Sequence, residues 1–182
     1  MQSLSPTIWR TCRVLKSPVR LHLLQTVMFR PGLNVTELAR VAEVGVSDAS
    51  QELRRLQSRG LIRRTPQGRS VVYQPFPDPL VASAAPLLEA LRVALKNTPR
   101  PYEPITRIAG GLACERRALM VRLLRKAPLS APELAGHLQT DSKNIAANLR
   151  ILMESGWIAR TGRTYLPQPA DSPVHIALLN LL

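Results

Sequence analysis

The 182 residues predict a mainly α protein with small β-hairpins, an α+β chain made of two tandem copies of one small domain. Three observations predict this. Apolar residues recur at helical spacing along most of the chain while aromatic residues make up only 4% of it, so the cores must be built from Leu, Val and Ala, which suits helices better than a β-sandwich. Short β-branched runs that turn on Gly-Arg pairs follow the helices, the pattern of a hairpin. Finally, a shift of 96 residues with no gap lays the chain on itself, which marks an internal repeat.

Taken in order, Met1–Ser5 is expected to be a loose leader and Pro6–Leu15 a helix patterned by Ile8, Trp9, Cys12 and Leu15. Pro18 opens a second helix in its first turn, and that helix buries Leu23, Leu24, Val27 and Met28 and stops before Pro31-Gly32. Asn34 stands three residues before Glu37, a capping box that starts the helix Thr36–Ala42. After a tight turn at Glu43–Gly45, Val46–Arg59 forms the next helix. Ala49, Leu53 and Leu56 fall on its inner face, and Ser47, Ser50, Gln51 and Arg54 on the other. Gly60 caps it in the left-handed conformation, and Leu61–Arg64 and Val71–Gln74 form a hairpin about Gly68-Arg69.

Prolines at 75, 77, 79, 86, 99, 101 and 104 stiffen the region that follows, yet Leu80–Lys96 is an apolar helical run, too apolar for a free linker. It must pack on the other half of the chain or on a second copy. At the shift of 96, Arg20 falls on Arg116, Leu23 on Leu119, Glu37-Leu38-Ala39 on Glu133-Leu134-Ala135, Leu53-Arg54 on Leu149-Arg150 and Gly60 on Gly156. In the second copy Cys114–Lys126 is the expected core helix, with Leu119, Met120, Leu123 and Leu124 inward. Ser130-Ala131-Pro132-Glu133 is a capping box opening the helix that follows, Asp141 the N-cap of the helix after that, and Ile145, Leu149 and Leu152 its buried stripe. Thr161-Gly162-Arg163 closes a shorter hairpin in which Tyr165 matches Tyr73, and Asp171–Leu182 is a terminal apolar helix. The divisions are therefore 1–76, a connecting segment 77–104 of dimerisation-helix type, and 105–182.

The run Glu37-Leu38-Ala39, the turn, Leu53-Arg54-Arg55-Leu56, Gly60-Leu61-Ile62 and the hairpin Gly68-Arg69 leading to Tyr73 resemble the ArsR-type winged helix-turn-helix regulators, over residues 10–95 and more weakly over 105–182. The resemblance implies mainly α domains with small β-hairpin wings, here two tandem winged helix-turn-helix domains. It also implies a transcriptional regulator of the repressor type that binds double-stranded DNA. Family members are usually single-domain dimers on palindromic sites, and two copies in one chain depart from that. Metal-sensing members carry paired cysteines in the first helix of the motif. The matching stretch here, Val35 to Arg40, has no thiol.

Charge points the same way. The chain carries +13, and arginine far outnumbers lysine, which favours polyanionic partners. Residues 1–76 hold +8, 77–110 hold +1 and 111–182 hold +4, so the first copy should dominate binding. In it, Ser47, Ser50, Gln51 and Arg54 are expected at base edges or phosphates, with Arg55 and Arg59 behind them, because Gln pairs with adenine and Arg with guanine in the major groove. Arg63, Arg64, Gln67 and Arg69, around wing residues 65–70, are expected on the backbone and in the minor groove. Asp48 and Glu52 oppose phosphate and should pair with Arg at i+4 or i+7, or accept from cytosine. The second copy offers Ser142, Lys143, Asn144, Arg150 and Arg163, with Ala146 and Ala147 on the same face. Leu80–Lys96 and Val174–Leu182 are expected to pair, making a pseudo-dimer whose helices reach grooves about 34 Å apart. A homodimer with four such units is the alternative.

Cys12 and Cys114 are too few for a disulfide framework and are read as reduced. His22, His137 and His175 lack partners at metal-ligand spacing, so they are expected to be surface or boundary side chains, with no metal and no cofactor. No phosphate loop or catalytic set stands out, which argues against an enzyme. With no signal-like start or apolar run of membrane length, the expected location is the cytoplasm, associated with the nucleoid. The other class left open is a tandem winged-helix interaction or architectural module of a chromosome-segregation or polymerase-type complex.

Overall fold

The computed structural model describes residues 7–96, 98, 100 and 102–182; the expected leader Met1–Ser5 lies outside them. Among these residues the protein is a mixed α+β structure of ten helices and two small antiparallel sheets.

Helix α1 (Ile8–Leu15) begins two residues later than its pattern suggests, and α2 (Pro18–Phe29) has the expected bounds, opened by Ser17, whose side chain accepts from Arg20 N. Helix α3 (Val35–Ala42) carries the capping box: Asn34 Oδ1 accepts from Glu37 N at 3.0 Å and Glu37 Oε2 accepts from Asn34 N at 2.8 Å. Glu43 ends α3 in the left-handed conformation at φ 57° and sets the turn into α4 (Val46–Gln57). That helix is two residues shorter than expected. Ser58 and Arg59 belong to the turn that Gly60 completes at φ 71°. A Cβ on Gly60 would lie 2.9 Å from that of Val81, so the site needs glycine for space as well as for its backbone conformation.

Strand β1 (Arg63–Gln67) pairs with β2 (Ser70–Gln74), starting two residues later than predicted: Leu61 N donates to Leu56 O in the turn that ends α4, and Leu61 and Ile62 are fully buried in the core. The apolar run after it is helical only as α5 (Ala84–Leu95). Asp78 Oδ1 takes the Leu80 N–H at 2.9 Å, a local turn that holds the chain out of the helix until Ala84. Along α5, Leu87, Leu88, Leu91 and Leu95 are buried and Val93 is exposed.

The second copy begins with a helix not anticipated from the sequence, α6 (Glu103–Leu112), followed by α7 (Glu115–Leu124), with Cys114 as N-cap. Then come β3 (Leu129–Ser130), α8 (Ala131–His137), α9 (Ser142–Glu154), the hairpin β4 (Ile158–Thr161) and β5 (Thr164–Pro167), and α10 (Pro173–Asn180). Strand β5 lies between β3 and β4. The first copy makes the same third pairing with an isolated bridge from Asn34 to Val72.

The repeat is present, but its register is not gap-free. From α3 to the first strand of the hairpin the shift of 96 holds: Asn34 and Ser130, Leu53 and Leu149, and Gly60 and Gly156 occupy matching positions. Helices α1 and α2 instead correspond to α6 and α7 at a shift of 97, since the N-caps Ser17 and Cys114 match and buried Leu23, Leu24 and Val27 fall on Met120, Val121 and Leu124. Arg20 donates to the carbonyls of Arg13 and Val14 that end α1, and Arg117 does the same to Gly110 and Gly111 of α6. The connection after the second helix is therefore one residue shorter in the second copy. One consequence corrects the predicted core: Leu119 is 40% exposed and Leu123 half-buried, while Val121 takes the inward place.

The two copies meet through like elements. Helix α1 packs on α6 and α5 on α10, the self-complementary pattern of a two-fold contact within one chain. Arg13 Nε reaches across to Ala113 O at 3.1 Å. Tyr102, fully buried at the start of α6, donates to Gln25 Oε1 of α2 at 2.5 Å, and Gln25 Nε2 donates to Leu95 O at 2.7 Å. One cluster of buried side chains runs through both copies. No helix among the described residues is long and apolar enough to cross a membrane.

Candidate nucleic-acid interface

Helix α4 is fixed from behind by Ala49, Leu53 and Leu56, all fully buried. With 3.6 residues per turn, that stripe leaves the opposite face to solvent. There Ser47, Gln51, Arg54 and Arg55 are exposed and Ser50 is half-buried. On the hairpin Arg63, Arg64, Gln67 and Arg69 are all exposed, and Gly68 turns the strand at φ 60°. Pro66 and Gln67 pair across to Val71 and Ser70, so Arg69 stands at the tip.

Two of the expected acidic and basic roles change. Glu52 bonds Arg55 at i+3 and Arg20 of α2, rather than an arginine at i+4 or i+7. Its carboxylate is mostly buried behind the exposed face, and it ties α4 to α2. Asp48 has no ion pair among the described residues and remains exposed. Arg59 is withdrawn from the face. It is half-buried, its Nε has no hydrogen-bond partner among the described residues, and its guanidinium titrates below its ordinary range through burial and, secondly, the charge of Arg10.

In the second copy Asp141 caps α9, accepting from Asn144 N at 2.8 Å and from Asn144 Nδ2 at 2.6 Å; these hydrogen bonds hold its carboxyl below the usual range. Ser142, Lys143, Asn144, Ala146, Ala147 and Arg150 are exposed, Arg150 lying 3.8 Å from Glu154. Glu52 has become Asn148, which accepts from Arg117 Nη1 at 3.3 Å, so the same strut is kept without its charge. Arg163 is exposed at the tip of the shorter hairpin. Arg160, absent from the predicted set, lies on the same hairpin with Nε donating to Gly162 O at 3.0 Å and its guanidinium over Tyr165. Its correspondence with Arg64 at the shift of 96 was the available signal.

The histidines are not all peripheral. His175 is buried against Trp157, ring centroids 4.3 Å apart, and His22 lies 3.0 Å from Tyr102 Oη and 3.1 Å from Val41 O. His175 Nδ1 also lies 3.4 Å from Asp171 Oδ1, but among the described residues no group of three His, Cys, Asp or Glu side chains could hold a metal ion. Both cysteines are free, and burial pushes the Cys12 thiol well up, which leaves it an unreactive core side chain.

A protein-family model described as HVO_A0114 matches residues 15–78 of the chain, from the end of α1 through α2, α3, α4 and the first hairpin. A comparison with curated proteins finds no match.

Proposed function

We propose that the chain is a sequence-specific double-stranded DNA-binding transcriptional regulator of ArsR-like winged helix-turn-helix type, present twice in one polypeptide. In this reading α3 and α4 are the helix-turn-helix, β1 and β2 the wing, and α4 enters the major groove with Gln51 and Arg54 at base edges. Arg63, Arg64 and Arg69 take phosphates and the minor groove. The two copies act as an intramolecular pseudo-dimer, and occupation of the site represses. The protein works in the cytoplasm at the nucleoid, without cofactor or enzymatic activity.

The observation that carries this reading is the exposure of Ser47, Gln51, Arg54 and Arg55 on one face of α4 together with Arg63, Arg64, Gln67 and Arg69 on the hairpin that follows, within residues 1–76, which hold +8. Fluorescence anisotropy with random duplex across a salt series tests it. Binding that falls steeply as salt rises from about 50 to about 200 mM is expected, because phosphate contacts release counterions. Absence of binding near 50 mM salt removes the proposal and leaves the same surface to a protein partner, the role of a tandem winged-helix interaction module.

A further inference from the structure

We infer that the second copy reads thymine methyl groups through Ala147, with Ala146 beside it, so that the DNA site has one polar half and one A·T half; this rests on the DNA-binding reading above. At about 100° per residue, Ala147 stands roughly 200° round α9 from Ile145, at the centre of the outward face. Its counterpart in α4 is Gln51, and that of Ala146 is Ser50. Both alanines are exposed, so the buried stripe of Ile145, Leu149 and Leu152 does not require them.

The other exchanges keep the face suited to DNA. Lys143 stands where α4 has Ser47, Asn144 replaces Asp48, and Arg150 repeats Arg54. Asn144 removes the charge of Asp48 and Lys143 adds a cation, while half-buried Ile151 stands in place of Arg55 and the N-cap Asp141 in place of Gly45; at the centre of the face the two hydrogen-bonding side chains have become methyls. Asn144 donates to Asp141, so its amide hydrogens are partly engaged at the cap. What α9 presents between Lys143 and Arg150 is thus a small apolar patch flanked by cations. In the major groove the apolar feature that distinguishes one base is the C5 methyl of thymine, and alanine is among the side chains that contact it. Against guanine or cytosine the same methyl would leave polar base edges unpaired, which disfavours them.

The experiment uses the full chain and a duplex selected from a random pool. Each thymine is replaced singly by deoxyuridine, which removes the methyl and leaves base pairing intact. Loss of about fourfold in affinity is expected at one or two neighbouring thymines in a single half of the site, the worth of a buried methyl-sized group. Ala147→Gln should abolish that sensitivity and shift the base selected there towards adenine. A bound duplex indifferent to every deoxyuridine, or one whose sensitive thymines remain sensitive in Ala147→Gln, overturns the inference alone. A chain that binds no duplex overturns it together with the DNA-binding reading.

Discussion

Leu53 and Arg54 are neighbours in sequence and differ completely in surroundings, the first fully buried and the second exposed. Leu53→Ala is expected to cost roughly 2–5 kcal/mol of stability through the cavity it leaves, measured as a lowered urea midpoint, with binding lost only as the fold is lost. Arg54→Ala should leave the urea curve unchanged and weaken binding to a selected duplex by about 1–3 kcal/mol; unaltered affinity would take Arg54 out of the interface. At this scale the helical period alone separated inside from outside. It did not find the surroundings of Glu52 and Arg59, because Arg20, which pairs with Glu52, and Arg10, whose like charge acts on Arg59, come from other helices brought near only by folding.

At the scale of elements, caps were the most legible features, since Asn34 with Glu37 and Asp141 with Asn144 are local hydrogen-bond sets spanning three residues. Helix α6 was not legible. Its run contains Gly110-Gly111, which reads as a breaker, whereas packing explains Gly111. A Cβ there would lie 2.2 Å from Ser155 Oγ and 2.5 Å from Trp157 Cδ1. Gly111 stands where the first copy has Val14, and Trp157 where it has Leu61, so a smaller side chain on one element accommodates a larger one on the other. Trp157 is held further by its indole N–H, which donates to Ile108 O at 2.8 Å. Gly111→Ala is therefore expected to lower stability by about 1–3 kcal/mol despite alanine's better helix propensity. Thermal unfolding checks it, and an unchanged or raised Tm would remove close packing as the reason for this glycine.

For the whole molecule, pairing of α1 with α6 and of α5 with α10 joins the two copies within one chain, the contact that the proposed pseudo-dimer requires. Light scattering of the free protein should give the mass of one chain, and footprinting of the selected duplex should show protection in two successive major grooves; a dimeric mass would sink the pseudo-dimer. The junction between copies also carries a titrating group. His22, beside Tyr102 and 2.6 Å from Arg100, has its pKa lowered from 6.5 chiefly by burial, with Arg100 adding to it. The unfolded chain therefore binds this proton more readily than the folded one. The stability this group contributes is present above the unfolded value and is lost as pH falls below about 6.5. His22→Gln should flatten that part of the stability–pH curve, measured by urea unfolding between about pH 5 and 7; an unchanged slope would show that His22 does not set it.

The α+β class, the capped helices and the hairpin turns were legible in the amino-acid order, because each depends on residues within a few positions of one another or on periodicity along a single element, and the repeat was legible because two stretches of the chain share one pattern. The same order also marked the basic, outward face of Val46–Gln57, since amphipathicity is a local property. The change of repeat register after the second helix, the exposure of Leu119 and the burial of His175 follow instead from how the elements pack. So do the withdrawal of Arg59 and the joining of the copies through equivalent helices. These depend on which surfaces meet across stretches well separated along the chain, as Trp157 meets Ile108 and Arg13 meets Ala113, and no local pattern encodes them.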